Sequence, residues 1–243
     1  MKIYLVDQRS DAWRQLRLGI PTASNFDKIV TPKKFELSAR ATDYALRLCA
    51  ERLLNMTSES SIENPWMERG IELEVDAVRH YEWTRDVQTY PVGFIATDDH
   101  SMGCSPDRIV MSDERIALEI KCAAPHTHLG YLLNGLDEAY RPQIQGQILI
   151  AELDRAELYA YSPQMPAALI ETRPDTDCQT KLKDALALFN ANLASMFERA
   201  KALGVYQPAP RVAAPAEVVE LADIARHFKH EAGLRMAKEG FVA

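Results

Sequence analysis

Long apolar runs are missing from this 243-residue chain. No stretch of about 18 consecutive apolar residues occurs, so a membrane-spanning helix is not expected. The amino terminus reaches Asp7 and Arg9 before an apolar signal region could develop, which makes a reducing cytoplasm the expected compartment. Cysteine is scarce as well. Cys49, Cys104, Cys122 and Cys178 lie 55, 18 and 56 residues apart, without a Cys-x-x-Cys pair. Zinc-ribbon and iron–sulfur spacings are thereby excluded, leaving four small, buried thiols. Positive charge is not in excess either: 28 Lys and Arg stand against 35 Asp and Glu, a net charge of −7. Taken alone, that balance argues against a protein coated with basic surface for nucleic acid. What is present is a hydrophobic fraction of 47%, enough for one large core and incompatible with a disordered chain.

The acidity is local. Residues 1–65 carry 10 basic and 8 acidic side chains, residues 66–120 carry 5 and 12, and residues 121–243 carry 13 and 15. The middle block is therefore either a solvated acidic face or a place where carboxylates gather around divalent cations.

Hydrophobic period divides the chain. The first 60 residues read as helical: one helix ends at Gly19, Ser24 and Asn25 are candidate caps for a short helix through Ile29, and a longer helix fills Leu37 to Leu54. Pro65 to Arg85 reads as a strong helix with Trp66, Ile71, Val75, Val78 and Tyr81 largely on one face. Alternation then predicts strands around Tyr90–Phe94, Ile109–Val110 and Ile116–Ile120, the last two joined by a tight hairpin at Ser112–Arg115. Helices around Tyr131–Leu133 and Gln143–Leu153, strands at Ala156–Tyr161 and Ala168–Thr172, and a helix near Thr176–Leu203 follow. The expected architecture is α/β, a mixed central sheet flanked by helices. It comprises a single domain over 1–206, a proline-rich linker over 207–216, and an amphipathic helix over 217–243 built on Val218, Leu221, Ile224 and Phe228.

The chemistry concentrates in Ser105-Pro-Asp107 and Leu118-Glu119-Ile120-Lys121. Glu119 and Lys121, two apart on a strand, leave the same face, while Leu118 and Ile120 enter the other. Hairpin pairing can return Asp107 toward Glu119. Two nearby carboxylates repel unless a cation lies between them, and hard oxygens suit Mg²⁺ or Mn²⁺. A lysine beside them can orient a water or balance charge developing on phosphorus. An ion-paired surface strand has the same pattern. Glu74, one helical turn after Gly70, is a further candidate, although this segment in isolation reads first as a helix with Glu72, Glu74 and Asp76 in water.

Five segments in order, Trp13-Arg-Gln-Leu-Arg17 through Ser24, Gly70 to Glu74, Ser105-Pro-Asp107, Leu118-Glu-Ile-Lys121, and Tyr140-Arg-Pro-Gln143-Ile-Gln145, carry a resemblance. Over roughly residues 8 to 200 the chain resembles the lambda-exonuclease-like, or YqaJ viral recombinase, family of the PD-(D/E)XK nuclease superfamily. The resemblance implies a restriction-endonuclease-like core. It further implies that Asp107, Glu119, Glu74 and the Ile120 carbonyl bind one or two Mg²⁺ ions, with Mn²⁺ able to substitute, and that Lys121 is the catalytic amine. Arg17, Ser24 and Gln143 would form the pocket for a 5′-terminal phosphate, an arginine fork with a hydroxyl and an amide.

The implied activity is a 5′ to 3′ exonuclease on linear double-stranded DNA that leaves a 3′ single-stranded overhang for phage-type recombination. The implied partners are DNA ends, two further copies in a homotrimeric ring, and a single-strand annealing recombinase, in a bacterial host and of phage or prophage origin. A ring with a basic channel reconciles DNA as substrate with an acidic exterior, and Lys28, Lys33, Lys34, Arg40, Arg47 and Arg52 are channel candidates. A PD-(D/E)XK endonuclease cutting internally, or a non-catalytic DNA-end-binding protein, are the alternative functions.

Overall fold

A computed structural model describes residues 1–57, 65–205, 217–224 and 226. β1 (Lys2–Leu5) leads into α1 (Asp11–Arg17), capped by Ser10, whose hydroxyl accepts from the Trp13 N–H. A 3-10 helix (Ala23–Lys28), α2 (Ala41–Leu54) and α3 (Pro65–Arg85) follow. Next come β2 (Thr89–Pro91), β3 (Phe94–Ala96), β4 (Gly103–Cys104), β5 (Arg108–Met111) and β6 (Arg115–Lys121). α4 (Pro125–Asn134), α5 (Arg141–Ile150), β7 (Arg155–Ser162), β8 (Met165–Thr172), α6 (Thr176–Ala202) and β9 (Glu217–Val219) complete the order.

The central sheet has the order β2-β5-β6-β7-β8. β6 and β7 run parallel and the other pairs antiparallel. Parallel neighbours cannot be joined by a hairpin, so the chain crosses over between them through α4 and α5. α3 lays Ala77, Val78 and Tyr81 on the face formed by Ile116, Leu118 and Ile120. Ile144 and Ile148 of α5, Leu48 of α2 and Leu182 and Phe189 of α6 share the opposite core with Ala117. Coverage of both faces explains why β6 is buried from Ile116 to Ile120, Glu119 included. The mixed sheet between helices is the predicted fold class. No helix among the described residues is long and apolar enough to cross a membrane.

Several local expectations change. The amino-terminal part is not purely helical, because β1 joins a second antiparallel sheet of order β4-β3-β1-β9. Thr22, not Ser24 or Asn25, occupies the cap position of the 3-10 helix. On α3, Ile71 and Val75 are exposed, since its buried row is confined to the carboxy-terminal half that rests on the sheet. The helix expected over 217–243 does not begin at 217: Glu217–Val219 is β9, with Ile3 opposite Val219, and a 3-10 turn follows at Leu221–Asp223. Stiff β-branched Val218 and Val219 suit an edge strand, and local periodicity cannot see the open edge of β1 that receives them. Phe228 and the 207–216 linker lie outside the described residues.

Two glycines govern how the helices near the site approach one another. Gly19, at φ +68, takes the left-handed turn after α1. From α2, Glu51 accepts its N–H at 3.1 Å and Arg52 donates to its carbonyl at 2.6 Å, so both sides of the turn are clamped. Gly146 lets α5 meet the 3-10 helix, because a Cβ there would lie 2.5 Å from the Phe26 ring.

Candidate active site

The β5–β6 hairpin builds the centre of the site. Arg108 pairs with Leu118, which leaves Asp107, just before β5, beside the end of β6. Its Oδ2 accepts from the Ile120 N–H at 2.6 Å. Glu119, 5% exposed, leaves the same strand and is held by three donors. Lys121 Nζ lies 2.6 Å and Gln143 Nε2 2.8 Å from its Oε1, while Gln147 Nε2 lies 2.7 Å from its Oε2. Lys121 Nζ also lies 5.3 Å from the centre of the Tyr140 ring.

The electrostatics follow from that packing. Burial, then the charge of Glu119, raises the Asp107 carboxyl well above the usual carboxylate range, against the pull of Lys121 and the Ile120 N–H. For Lys121, burial opposes the charged form, yet Glu119 and Asp107 outweigh it and hold the amine above the usual lysine value. A single ammonium therefore does not relieve Asp107. The unrelieved carboxylate pair, hard in its donor atoms, fits a divalent cation.

Glu74 stands at the margin. An ideal Cβ on Gly70 would lie 3.9 Å from the Cys122 carbonyl, so α3 passes the end of β6 just before Glu74. The Glu74 carboxylate lies 3.6 Å from Arg9, and its charge adds to the rise at Asp107. Among the described residues no three His, Cys, Asp or Glu side chains form a ready-made metal cluster. The structure thus gathers Asp107, Glu119 and Lys121, and leaves Glu74 nearby, turned toward Arg9.

A separate cleft lies between α1, the 3-10 helix and α2. Arg17 lines it, its guanidinium carbon 3.8 Å above the Trp13 ring. Trp13 is anchored in turn, its indole N–H 3.0 Å from both the Gly93 carbonyl and Ser105 Oγ. Ser24 is exposed on the same 3-10 helix, its hydroxyl 3.3 Å from that of Thr22. Gln143 does not line the cleft; it donates to Glu119. Of the expected phosphate set, Arg17 lines the cleft, Ser24 stands on the neighbouring 3-10 helix outside that lining, and Gln143 lies at the carboxylates. The close packing of the 3-10 helix on α5 at Gly146 connects the two.

Sequence reasoning missed Gln147. Gln143 and Gln147 are one helical turn apart on α5, a spacing that directs both amides at one face, so the signal was available. Gln145, quoted in the same motif, instead donates to the Arg173 carbonyl and accepts from the Asp175 N–H. His126 and His128 lie on α4; His128 is buried, with Nε2 2.9 Å from the Pro166 carbonyl. Of the channel candidates, Arg52 holds Gly19 and Arg40 holds Asp27.

The family profile of a YqaJ-like viral recombinase domain matches residues 12–154. Among solved structures, the alkaline exonuclease LHK-Exo from Laribacter hongkongensis has 25% sequence identity and a TM-score of 0.71, over 80% of this chain and 98% of that one. A structure of LHK-Exo in complex with dAMP aligns equally well. A phage-related exonuclease from Haemophilus somnus 129PT, 14% identical with a TM-score of 0.56, covers 81% of this chain and 97% of its own and shares the fold. No curated protein matches the sequence.

Proposed function

The chain belongs to the YqaJ-like viral recombinase family, and on that premise we propose that it is a metal-dependent deoxyribonuclease that degrades the 5′-phosphorylated strand of linear duplex DNA to mononucleotides. The observation that carries the reading is the buried group formed by Asp107, Glu119 and Lys121 at one end of the hairpin. Asp107, Glu119 and the Ile120 carbonyl, joined by Glu74 once it turns from Arg9, would hold Mg²⁺ or Mn²⁺. A bound ion would polarise the scissile phosphate and lower the pKa of its water.

The chain's own groups do the rest. Lys121 places an ammonium where charge develops on the phosphate and orients the attacking water. Gln143 and Gln147 fix both oxygens of Glu119, so its carboxylate needs no reorganisation. Arg17, stiffened against Trp13, and Ser24 receive the 5′ phosphate. Removal of one strand would leave a 3′ overhang for an annealing recombinase, in a bacterial host carrying the phage or prophage. A trimeric ring would confine basic surface to its channel, consistent with acidity concentrated in residues 66–120.

The deciding assay incubates the protein with Mg²⁺ and blunt duplex, 5′-phosphorylated or 5′-hydroxyl, alongside closed circular DNA and an EDTA control. Mononucleotides should appear from the phosphorylated linear duplex alone. Cutting of the circle would instead favour the endonuclease, and end binding without hydrolysis a non-catalytic role.

Metal binding is predicted to be visible without catalysis. The folded state raises the Asp107 pKa, so it binds more protons than the unfolded chain and metal-free stability falls as pH climbs above the ordinary carboxylate range. A cation at 100 times its Kd adds about 2.7 kcal/mol, or roughly 5–10 °C in Tm for a domain of this size. Calorimetry at neutral pH should show that shift in wild type and little of it in Asp107→Asn. An equal shift in both would place the ion elsewhere.

A further inference from the structure

Arg47 shares the cleft with Arg17, and neither composition nor motif assigns it a role beyond a place among basic channel candidates. It projects from α2, with its guanidinium carbon 5.2 Å from the centre of the Tyr44 ring. Its Nε is buried and has no hydrogen-bond partner among the described residues. The nearest anion, Glu51 Oε1, is 3.8 Å away, too far for a hydrogen bond. Glu51 is itself buried, and its other oxygen accepts the Gly19 N–H that fixes the turn behind Arg17. A desolvated guanidinium N–H without an acceptor is costly, and buried donors are almost always paired. Here the donor belongs to a residue that lines the same cleft as a second guanidinium, that of Arg17. That donor is available to an anionic ligand group entering the cleft.

The chemistry of the cleft selects the class of ligand. Arg17 and Arg47 come from different helices, Arg17 stacked on Trp13 and Arg47 near the Tyr44 ring, with Thr22 and Asn25 in the same lining. An internal phosphodiester offers two non-bridging oxygens and one negative charge. A terminal phosphomonoester offers three oxygens and a charge near −2 at neutral pH. The monoester offers one oxygen to each of two separate guanidiniums and a third to a hydroxyl or amide, and its higher charge favours the paired cations.

We propose that Arg47 is a specificity-determining residue that, together with Arg17, binds the 5′-terminal phosphate of the DNA strand. The proposal rests on the exonuclease reading above and adds to it a second cation and a selectivity for the monoester over internal phosphates. Glu51 acts through Arg47 and Gly19 as a positioning residue.

The test measures binding, so it does not depend on cleavage. Dissociation constants for a duplex with one 5′-phosphate end and for the same duplex with a 5′-hydroxyl are determined by fluorescence anisotropy in EDTA. Wild type, Arg47→Met and Arg47→Lys are compared, methionine keeping the aliphatic stem against Tyr44 so that packing survives. Arg47→Met should weaken binding of the phosphorylated end by about 10- to 100-fold, the loss expected for a charged hydrogen bond, and change the hydroxyl end by less than about twofold. Arg47→Lys should recover part of the loss. Equal weakening of both ends would mean a structural role or contact with internal phosphates, and would overturn the assignment, as would an unchanged phosphate preference. A wild type that binds both ends equally would remove the end-recognition reading, and Arg47 with it. A wild type that prefers the phosphate but never hydrolyses would leave Arg47 assigned and remove only the nuclease.

Discussion

Lys121→Ala should lower the single-turnover cleavage rate by about a thousandfold or more and leave end binding within about threefold of wild type. The size follows from the site. Among the described residues Lys121 Nζ is the only ammonium group in contact with Glu119, at 2.6 Å, and its charge counteracts the rise at Asp107. Removing it deletes the cation that faces charge developing on phosphorus, and leaves Glu119 with two neutral amide donors, Gln143 and Gln147. The retained binding follows from separate construction: the Arg17 cleft is made by α1, the 3-10 helix and α2 and uses no residue of β6. Rates measured with saturating Mg²⁺, and dissociation constants measured in EDTA, separate the two effects. Full activity in the variant would remove Lys121 from the chemistry. Loss of rate and binding together, with a lowered Tm, would mean that the ion pair is structural.

The hairpin that carries this chemistry was legible because it is local. Alternation at Ile116, Leu118 and Ile120 fixes which face is apolar, and period two sends Glu119 and Lys121 to the other; hairpin closure brings back Asp107. Burial of Glu119 was not legible. It depends on α5 crossing the sheet, and nothing within Leu118–Lys121 reports what covers the second face. Non-local pairing likewise hid β1 and β9, two short strands that stabilise each other only once the rest of the fold brings them together. Arg17 was readable from its motif, whereas Arg47 is one of several arginines on an amphipathic helix. Only the packing of α2 against the Gly19 turn distinguishes it. Gln143 was placed with the phosphate, and its contact with Glu119 follows from the direction of α5, which composition does not encode.

Glu157→Ala should cost about 3–5 kcal/mol and lower Tm by roughly 6–20 °C. Glu157 is fully buried on β7, opposite Leu118 of β6 and on the face covered by α3. The Tyr81 hydroxyl donates to its Oε2 at 2.5 Å, and Arg155 donates to its Oε1 through Nη2 at 2.8 Å and Nε at 3.1 Å. Arg155 also binds Glu114, and Arg85 stands 4.0 Å from Glu157. Burial, then the bond to Glu157, pushes the Tyr81 hydroxyl far above its ordinary pKa, so it remains a donor at every accessible pH. Truncation to alanine strands that hydroxyl and much of the Arg155 charge in a place water does not reach, so the cost is desolvation rather than a lost contact. Glu157→Gln, which keeps an oxygen for Tyr81, should cost clearly less. Tyr81→Phe should cost about 1 kcal/mol, and the double variant less than the sum, because the two residues share one bond. Urea midpoints at constant m-value measure all three. Additive losses would show that the network is not a unit. Tyr81 lies two helical turns after Glu74 on α3, so its bond to Glu157 ties to the sheet the same helix that carries Glu74. At temperatures where the variant is still folded, Glu157→Gln should therefore weaken Mg²⁺ binding more than end binding.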